Sequence, residues 1–180
     1  MLAPNDLLVI CDCDYLYGGV RAEYGHEYRV AYLKLKELVM RNRPEGTVAH
    51  FHAFIAVKSR PRTHAQLQLV SLLSQWGFDV HTGVLAYDAV TGEKQRDNIT
   101  SIIIEFIKEF RCGKTPPLLD FPQTLVVTSG STAYADLYDA LQYQGVTVEV
   151  MCFGELSPRL YDVSKHIELT DEILYLPEIF

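Results

Sequence analysis

Apolar positions along this chain alternate between runs with a two-residue period and runs with a helical period. Leu7-Leu8-Val9-Ile10-Cys11 is an unbroken apolar stretch that ends at Asp12 and reads as a buried strand. A Tyr- and Gly-containing loop is expected next, then a helix over Val30–Met40 with Val30, Leu33 and Leu38 at roughly helical spacing. Pro44 and Gly46 stop that helix, because proline lacks a donor and glycine favours the turn. Over Val48–Val57, Phe51, Ala53, Ile55 and Val57 alternate with His50, His52, Phe54 and Ala56, the period of a second strand. Thr63 is placed to cap a helix over His64–Trp76, Gly77 ends it, and Phe78–Val84 reads as a third strand.

Asp97 opens the clearest helix, in which Ile99, Ile102, Ile103, Phe106, Ile107 and Phe110 form one apolar stripe. Gly113 and two prolines close it. Thr124–Thr128 reads as a buried strand running into Ser129-Gly130-Ser131, followed by a helix from about Thr132 to Tyr143 and a strand over Val146–Phe153. A short helix from Ser157, a brief strand near His166–Glu168 and a tail complete the chain. This alternation predicts an α/β fold: a single three-layer domain over residues 1–180, with a mainly parallel central sheet of about five strands flanked by helices. Such sheets bind ligands at the carboxyl ends of their strands, where Asp12, Asp14, Ser129 and Ser131 fall.

Composition narrows the function classes. The 180 residues fit one domain. Sixteen Lys plus Arg against 23 Asp plus Glu give a net charge of −7, which argues against coating nucleic acid by bulk charge but leaves room for a local basic rim. No apolar run is long enough to span a membrane, and the segment Met1–Asp6 lacks the basic head and apolar stretch of a signal peptide. Four cysteines are too few for a disulfide scaffold and suit a reducing compartment, so a cytoplasmic location is expected.

Asp12 and Asp14, two apart at a strand end, are expected on one side, where their mutual repulsion would be relieved by Mg²⁺ or Mn²⁺. Asp97 is a third acid at the same edge; a plain helix N-cap is its competing explanation, and solvated loop acids are that of Asp12 and Asp14. A zinc site from Cys11, Cys13, His50 and His52 is disfavoured by the C-x-C spacing, which leaves core cysteines beside partly exposed histidines. Phosphate-loop, hydrolase-elbow and zincin motifs do not occur. Lys58, Arg60 and Arg62 follow the second strand, and Lys94 and Arg96 flank the Asp97 helix; cations beside an acidic pocket suit a phosphodiester substrate, against the plainer reading of a solvated charged loop. Tyr15, Tyr17 and Tyr87 are expected in adjacent loops, where they could stack on bases.

From Leu7 to about Leu176 the chain resembles the NYN domain family, a branch of the PIN-like ribonuclease domains. The resemblance rests on the first strand with Asp12 and Tyr15-Leu16-Tyr17, and on Gln68–Leu85 with Trp76-Gly77-Phe78-Asp79-Val80. Lys94 with Asp97, the strand into Ser129-Gly130, and Gly145–Val150 ending in Phe153-Gly154 extend it, with Ile167–Ile173 as the terminal segment. It implies a metal-dependent nuclease fold acting on RNA, with Asp12 and Asp97 as catalytic, metal-holding acids and Mg²⁺ or Mn²⁺ as cofactor. With the residue reading above, the expected substrate contacts are Tyr15, Lys58, Arg60, Arg62, Lys94, Ser129 and Ser131. Three positions depart from the pattern: Tyr15 replaces the usual Asn, and Ser131 and Ala133 replace two Asp. Asp14 and Asp136 are nearby acids able to compensate, Asp136 because it sits about one turn beyond Ala133.

Three readings follow. One is a divergent ribonuclease using Asp12, Asp14, Asp97 and Asp136, with hydrolysis weakened or altered. A second is a catalytically silent module of the same fold that binds RNA, a protein partner or a second copy of itself. The third is a phosphatase of the haloacid dehalogenase type, with Asp12 and Asp14 as its Asp-x-Asp motif, Ser59 at a strand end and Lys94 as phosphate lysine. Leu16 and Ser131 stand where that family needs Thr and Asp.

Overall fold

The first apolar run forms β1 (Leu7–Asp12), in which all six residues are buried. The computed structural model describes residues 6–58, 64–87, 94–96, 99–111 and 123–176. Where a loop is expected after β1, Cys13–Glu23 instead forms helix α1. Asp12 is its N-cap, and Leu16 and Val20, four residues apart, are buried on one side. Gly18 and Gly19 in its middle lower its propensity and hide it from sequence pattern. Phe153 explains one of them, since a side chain on Gly19 would run into its ring.

Residues Arg29–Val30 form β2, which pairs antiparallel with β9 (Leu174–Tyr175), so helix α2 (Tyr32–Met40) starts later than its apolar spacing predicts. Strand β3 (Ala49–Lys58), helix α3 (His64–Gln75), strand β4 (Asp79–Tyr87) and helix α4 (Ile99–Arg111) follow the expected order. A short strand, β5 (Lys94–Arg96), precedes α4 and folds back antiparallel onto β4. Strand β6 (Thr124–Val127) leads through a 3₁₀ turn over Thr132–Tyr134 into α5 (Ala135–Gln142). Strand β7 (Thr147–Cys152), helix α6 (Pro158–Tyr161) and strand β8 (Lys165–Glu168) complete the main body.

The main sheet has seven strands in the order β5-β4-β3-β1-β6-β7-β8, wider than the expected five, and every pairing except β4–β5 is parallel. Successive side chains point to opposite faces. Leu7, Val9, Cys11, Phe51, Ala53, Ile55 and Val57 join the layer of α1, α2 and α3, whereas Leu8, Ile10, Phe54 and Ala56 join that of α4, α5 and α6. The result is a three-layer α/β domain. One charge lies inside the first layer: Glu149 of β7, 3% exposed, pairs through both carboxylate oxygens with Arg43 after α2. Strand order reverses direction at β1, with β3 and β4 on one side and β6, β7 and β8 on the other. The carboxyl ends of β1 and β6 therefore flank the crevice where doubly wound sheets hold ligands. No helix among the described residues is long and apolar enough to cross a membrane.

Candidate functional site

The crevice is built around Asp12, the last residue of β1. Its backbone N–H donates to Thr128 Oγ1 at 3.1 Å, tying β1 to the segment after β6. Its Oδ1 accepts from the Tyr15 N–H at 2.9 Å, which closes the first turn of α1. Asp12 is only 5% exposed. Burial raises its carboxyl from the ordinary 3.8 to about 6; the Tyr15 N–H opposes this, the Asp14 charge adds to it, and the Ser129 hydroxyl offsets part. Three buried hydroxyls surround this carboxyl, those of Ser129, Tyr134 and Tyr138, and none makes a hydrogen bond of ordinary length and angle. Burial and then the Asp12 charge push the Tyr134 phenol up, and the Tyr134 and Tyr138 rings stack at 5.6 Å. Tyr134 and Tyr138 lie four apart after the Ser129-Gly130-Ser131 turn, a helical spacing that was available in the sequence as a sign of one shared face.

The other expected ligands are arranged differently from the strand-end picture. Asp14 is not a second strand-end acid: it lies in the first turn of α1, exposed, and its Oδ1 accepts from the Ala56 N–H at 3.4 Å. Asp136 does not turn toward Asp12 to compensate for Ala133. Its side chain is 92% exposed and pairs with Arg159 at 3.0 Å. Ser131 spends its hydroxyl as the N-cap of the 3₁₀ turn, accepting from the Ala133 N–H at 3.4 Å, and Ala133 is exposed. Ser129 is buried rather than open to a substrate. Tyr15 lies on α1, not in a loop; it is half-buried, stacks on Phe153 at 6.3 Å, and its hydroxyl accepts from the Phe153 N–H. Tyr17, also on α1, is exposed, with the Arg21 guanidinium over its ring.

Asp97, Arg60 and Arg62 lie outside the described residues. Lys58 ends β3 four residues beyond Phe54, the register partner of Asp12, about 13 Å further along the strand. Lys94 pairs with Tyr87 beyond that point, so both lysines belong to the carboxyl side of the sheet.

Two carboxylates at the start of α1 set the electrostatics. A helix N-terminus ordinarily attracts anions, but Asp12 and Asp14 already satisfy it, which disfavours a phosphate there and favours a cation or a neutral group. The described residues do not, however, fit a Mg²⁺ or Mn²⁺ cage: no group of three His, Cys, Asp or Glu among them is placed to hold a metal ion. Cys11, Cys13 and Cys152 are buried free thiols, and the zinc combination with His50 and His52 does not form.

No family model matches the chain, and no curated protein matches it. Among solved structures it is similar to a protein of unknown function from Vibrio parahaemolyticus, with 17% identity, a TM-score of 0.72, and coverage of 97% of this chain and 100% of that one. A UDP-glucosyltransferase from Polygonum tinctorium shares 11% identity at a TM-score of 0.37, covering 86% of this chain and 31% of that one, too distant to carry an argument. The first likeness extends over almost the whole chain, and what it shows is the three-layer α/β fold.

Proposed function

We propose that the chain is an NYN-type, PIN-like domain that binds RNA and whose phosphodiester hydrolysis is weakened. The observation that carries this reading is the composition of the crevice between β1 and β6. Asp12 holds the strand-end position that the family resemblance assigns to a metal-binding acid, but Ser131 and Ala133 stand where it expects two further acids, and the hydroxyl facing the Asp12 carboxyl is that of Ser129. A buried carboxyl raised to about 6 and engaged as a helix cap is a poor sole ligand for a hard divalent ion, which wants six or more oxygens. Mg²⁺ or Mn²⁺ is the cofactor the resemblance implies, with Asp12 and Asp97 as the acids that would hold it; Asp14 is an extra acid beside the first, and the described residues form no complete cage. RNA is the proposed partner, with Lys58, Arg60, Arg62 and Lys94 as its cationic rim. Burial of Asp12 counts against the phosphatase alternative, whose nucleophile must be ionised and open. Three buried free thiols support action in a reducing, cytoplasmic setting.

Titration calorimetry with Mn²⁺, paired with a single-stranded RNA cleavage assay, tests the reading. Wild type is expected to bind Mn²⁺ weakly and cleave slowly or not at all, Asp12→Asn to lose the binding, and Ser131→Asp with Ala133→Asp to gain affinity. Equal Mn²⁺ binding by wild type and Asp12→Asn removes the site. RNA binding without Mn²⁺ binding in any variant leaves the silent module, and strong wild-type cleavage abolished by Asp12→Asn refutes the weakened chemistry.

A further inference from the structure

On the β3–β4 side of the sheet, level with the last residues of β1, two histidines meet on the α4 face. His52 of β3 and Phe54 stand opposite Asp79 and His81 of β4 in the parallel register. His52 is 8% exposed, and its Nδ1 lies 3.1 Å from His81 Nε2. At that distance one ring nitrogen donates to the other, which requires at least one neutral acceptor. Two protonated rings would point donors and like charges at each other. His81 also stacks on Phe54 at 4.5 Å with an interplanar angle of 11°. Phe106, the contribution of α4, closes the cluster with its ring 4.9 Å from His52, 4.8 Å from His81 and 5.2 Å from Phe54.

Among the described residues, Asp79 and His50 are the charged or titratable groups that act on His52 besides His81. Asp79 of β4 reaches 3.9 Å from His52 Nδ1 but is exposed, so water screens it. His50 of β3 adds repulsion and itself lies 3.5 Å from Asp6. Burial and the neighbouring His81 lower His52 from the ordinary 6.5 to about 4, and burial lowers His81 as well. Both values fall below those of an unfolded chain. The neutral pair therefore contributes fully above about pH 6.5 and loses its contribution as pH falls toward about 4.

We propose that the His52–His81 pair is an acid-sensitive latch for α4: protonation separates the two rings, displaces Phe106 from its packing against both and loosens α4 from β3 and β4, leaving the β6–β7 half in place. The inference does not rest on the proposed nuclease or RNA-binding reading.

Hydrogen exchange on the whole chain, corrected for the intrinsic pH dependence of exchange, tests this between pH 7.0 and 4.5. The Ile103 and Ile107 amides of α4 are expected to lose protection at least tenfold relative to those of Val148 and Val150 in β7. His52→Leu combined with His81→Phe, which keeps a ring on Phe54 and leaves neither position able to protonate, is expected to hold that protection to pH 4.5. The wild-type imidazole proton resonances, followed by NMR, provide a reading free of any variant: His52 is expected to titrate below pH 6 and His81 below the range of a free imidazole, together with the loss of α4 protection. Unchanged α4 protection across the range, the same loss in the folded double variant, or ordinary titration at both rings overturns the latch.

Discussion

Replacing Asp12 by Asn is expected to stabilise the protein at pH 7.5, against the usual direction for a mutation at a buried hydrogen-bonded residue. Burial displaces the Asp12 carboxyl from 3.8 to about 6. At about 1.4 kcal/mol per pH unit, the fold bears about 3 kcal/mol to keep it ionised at neutral pH. Asn is as good an N-cap as Asp and keeps an oxygen for the Tyr15 N–H. It forfeits the attraction between a full negative charge and the start of α1, about 0.5 kcal/mol. A net gain of about 2 kcal/mol remains, to order of magnitude. The sign has a pH signature. Below 3.8 the carboxyl is neutral in both folded and unfolded chains, so the advantage of Asn vanishes; it grows as pH rises to about 6 and is constant above. Urea unfolding at pH 7.5 and pH 4.0 reads this directly, with an expected midpoint increase of about 1 M at the higher pH for a slope near 2 kcal/mol/M. Titration of His52 and His81 is common to both proteins and cancels. A destabilised Asp12→Asn, or a gain of equal size at both pH values, would refute the argument and leave Asp12 as an ordinary cap. The outcome matters because a carboxylate held at a cost to stability marks a position kept for binding or chemistry.

Removing the partner of the buried Glu149 acts in the opposite direction. Arg43→Met leaves that carboxylate with only the exposed Lys165 at 3.6 Å, and urea unfolding is expected to show a loss of about 3 kcal/mol. Gly19→Ala drives a methyl into the Phe153 ring, which also packs on Tyr15 and Tyr24, and is expected to lower stability by about 2 kcal/mol and Tm by about 5 °C. Reversing Arg60 and Arg62 to Glu is expected to weaken single-stranded RNA binding and flatten its salt dependence; an unchanged slope places the RNA contact elsewhere.

Most of the sheet was legible because its strands obey a strict period. The alternation of Phe51, Ala53, Ile55 and Val57 with His52, Phe54 and Ala56 in the sequence matches the division of those residues between the two helical layers. The stripe on α4 was equally clear, with Ile99, Ile103 and Ile107 all buried. What failed was local. Helix α1 was hidden by Gly18 and Gly19; Gly19 answers the approach of Phe153 from a distant strand end, a fact no window of sequence contains. Strands β2 and β9 are two residues each and exist only through one another from opposite ends of the chain, and the three-residue β5 exists only by folding back onto β4. The site was half legible for the same reason. Asp12 followed from the strand pattern, whereas the capture of Asp136 by Arg159, 23 residues later, depends on how α5 and α6 pack.

The misplacement of Asp14 changes the chemistry more than its small displacement suggests. Two acids on a strand end would share one approach direction, but with Asp12 as cap and Asp14 in the first turn of the helix, one carboxyl is buried and the other is exposed. Both sit over the positive end of α1, so the helix's capacity to attract phosphate is already spent. An RNA backbone has no anchor at that point unless a cation intervenes, and without one its nearest expected support is the Lys58 end of β3, about 13 Å further along the sheet. The proposed binding and hydrolysis are thereby separable. Under the proposed reading Lys58, Arg60, Arg62 and Lys94 would hold RNA by charge, whereas cleavage would need Asp12 to help hold a divalent ion that supplies charge stabilisation at the phosphate. Ser131 and Ala133, where the resemblance expects two further carboxylates, bear on the second step and not on the first. A chain that retains RNA affinity while losing its metal is therefore a physically consistent product of these two substitutions.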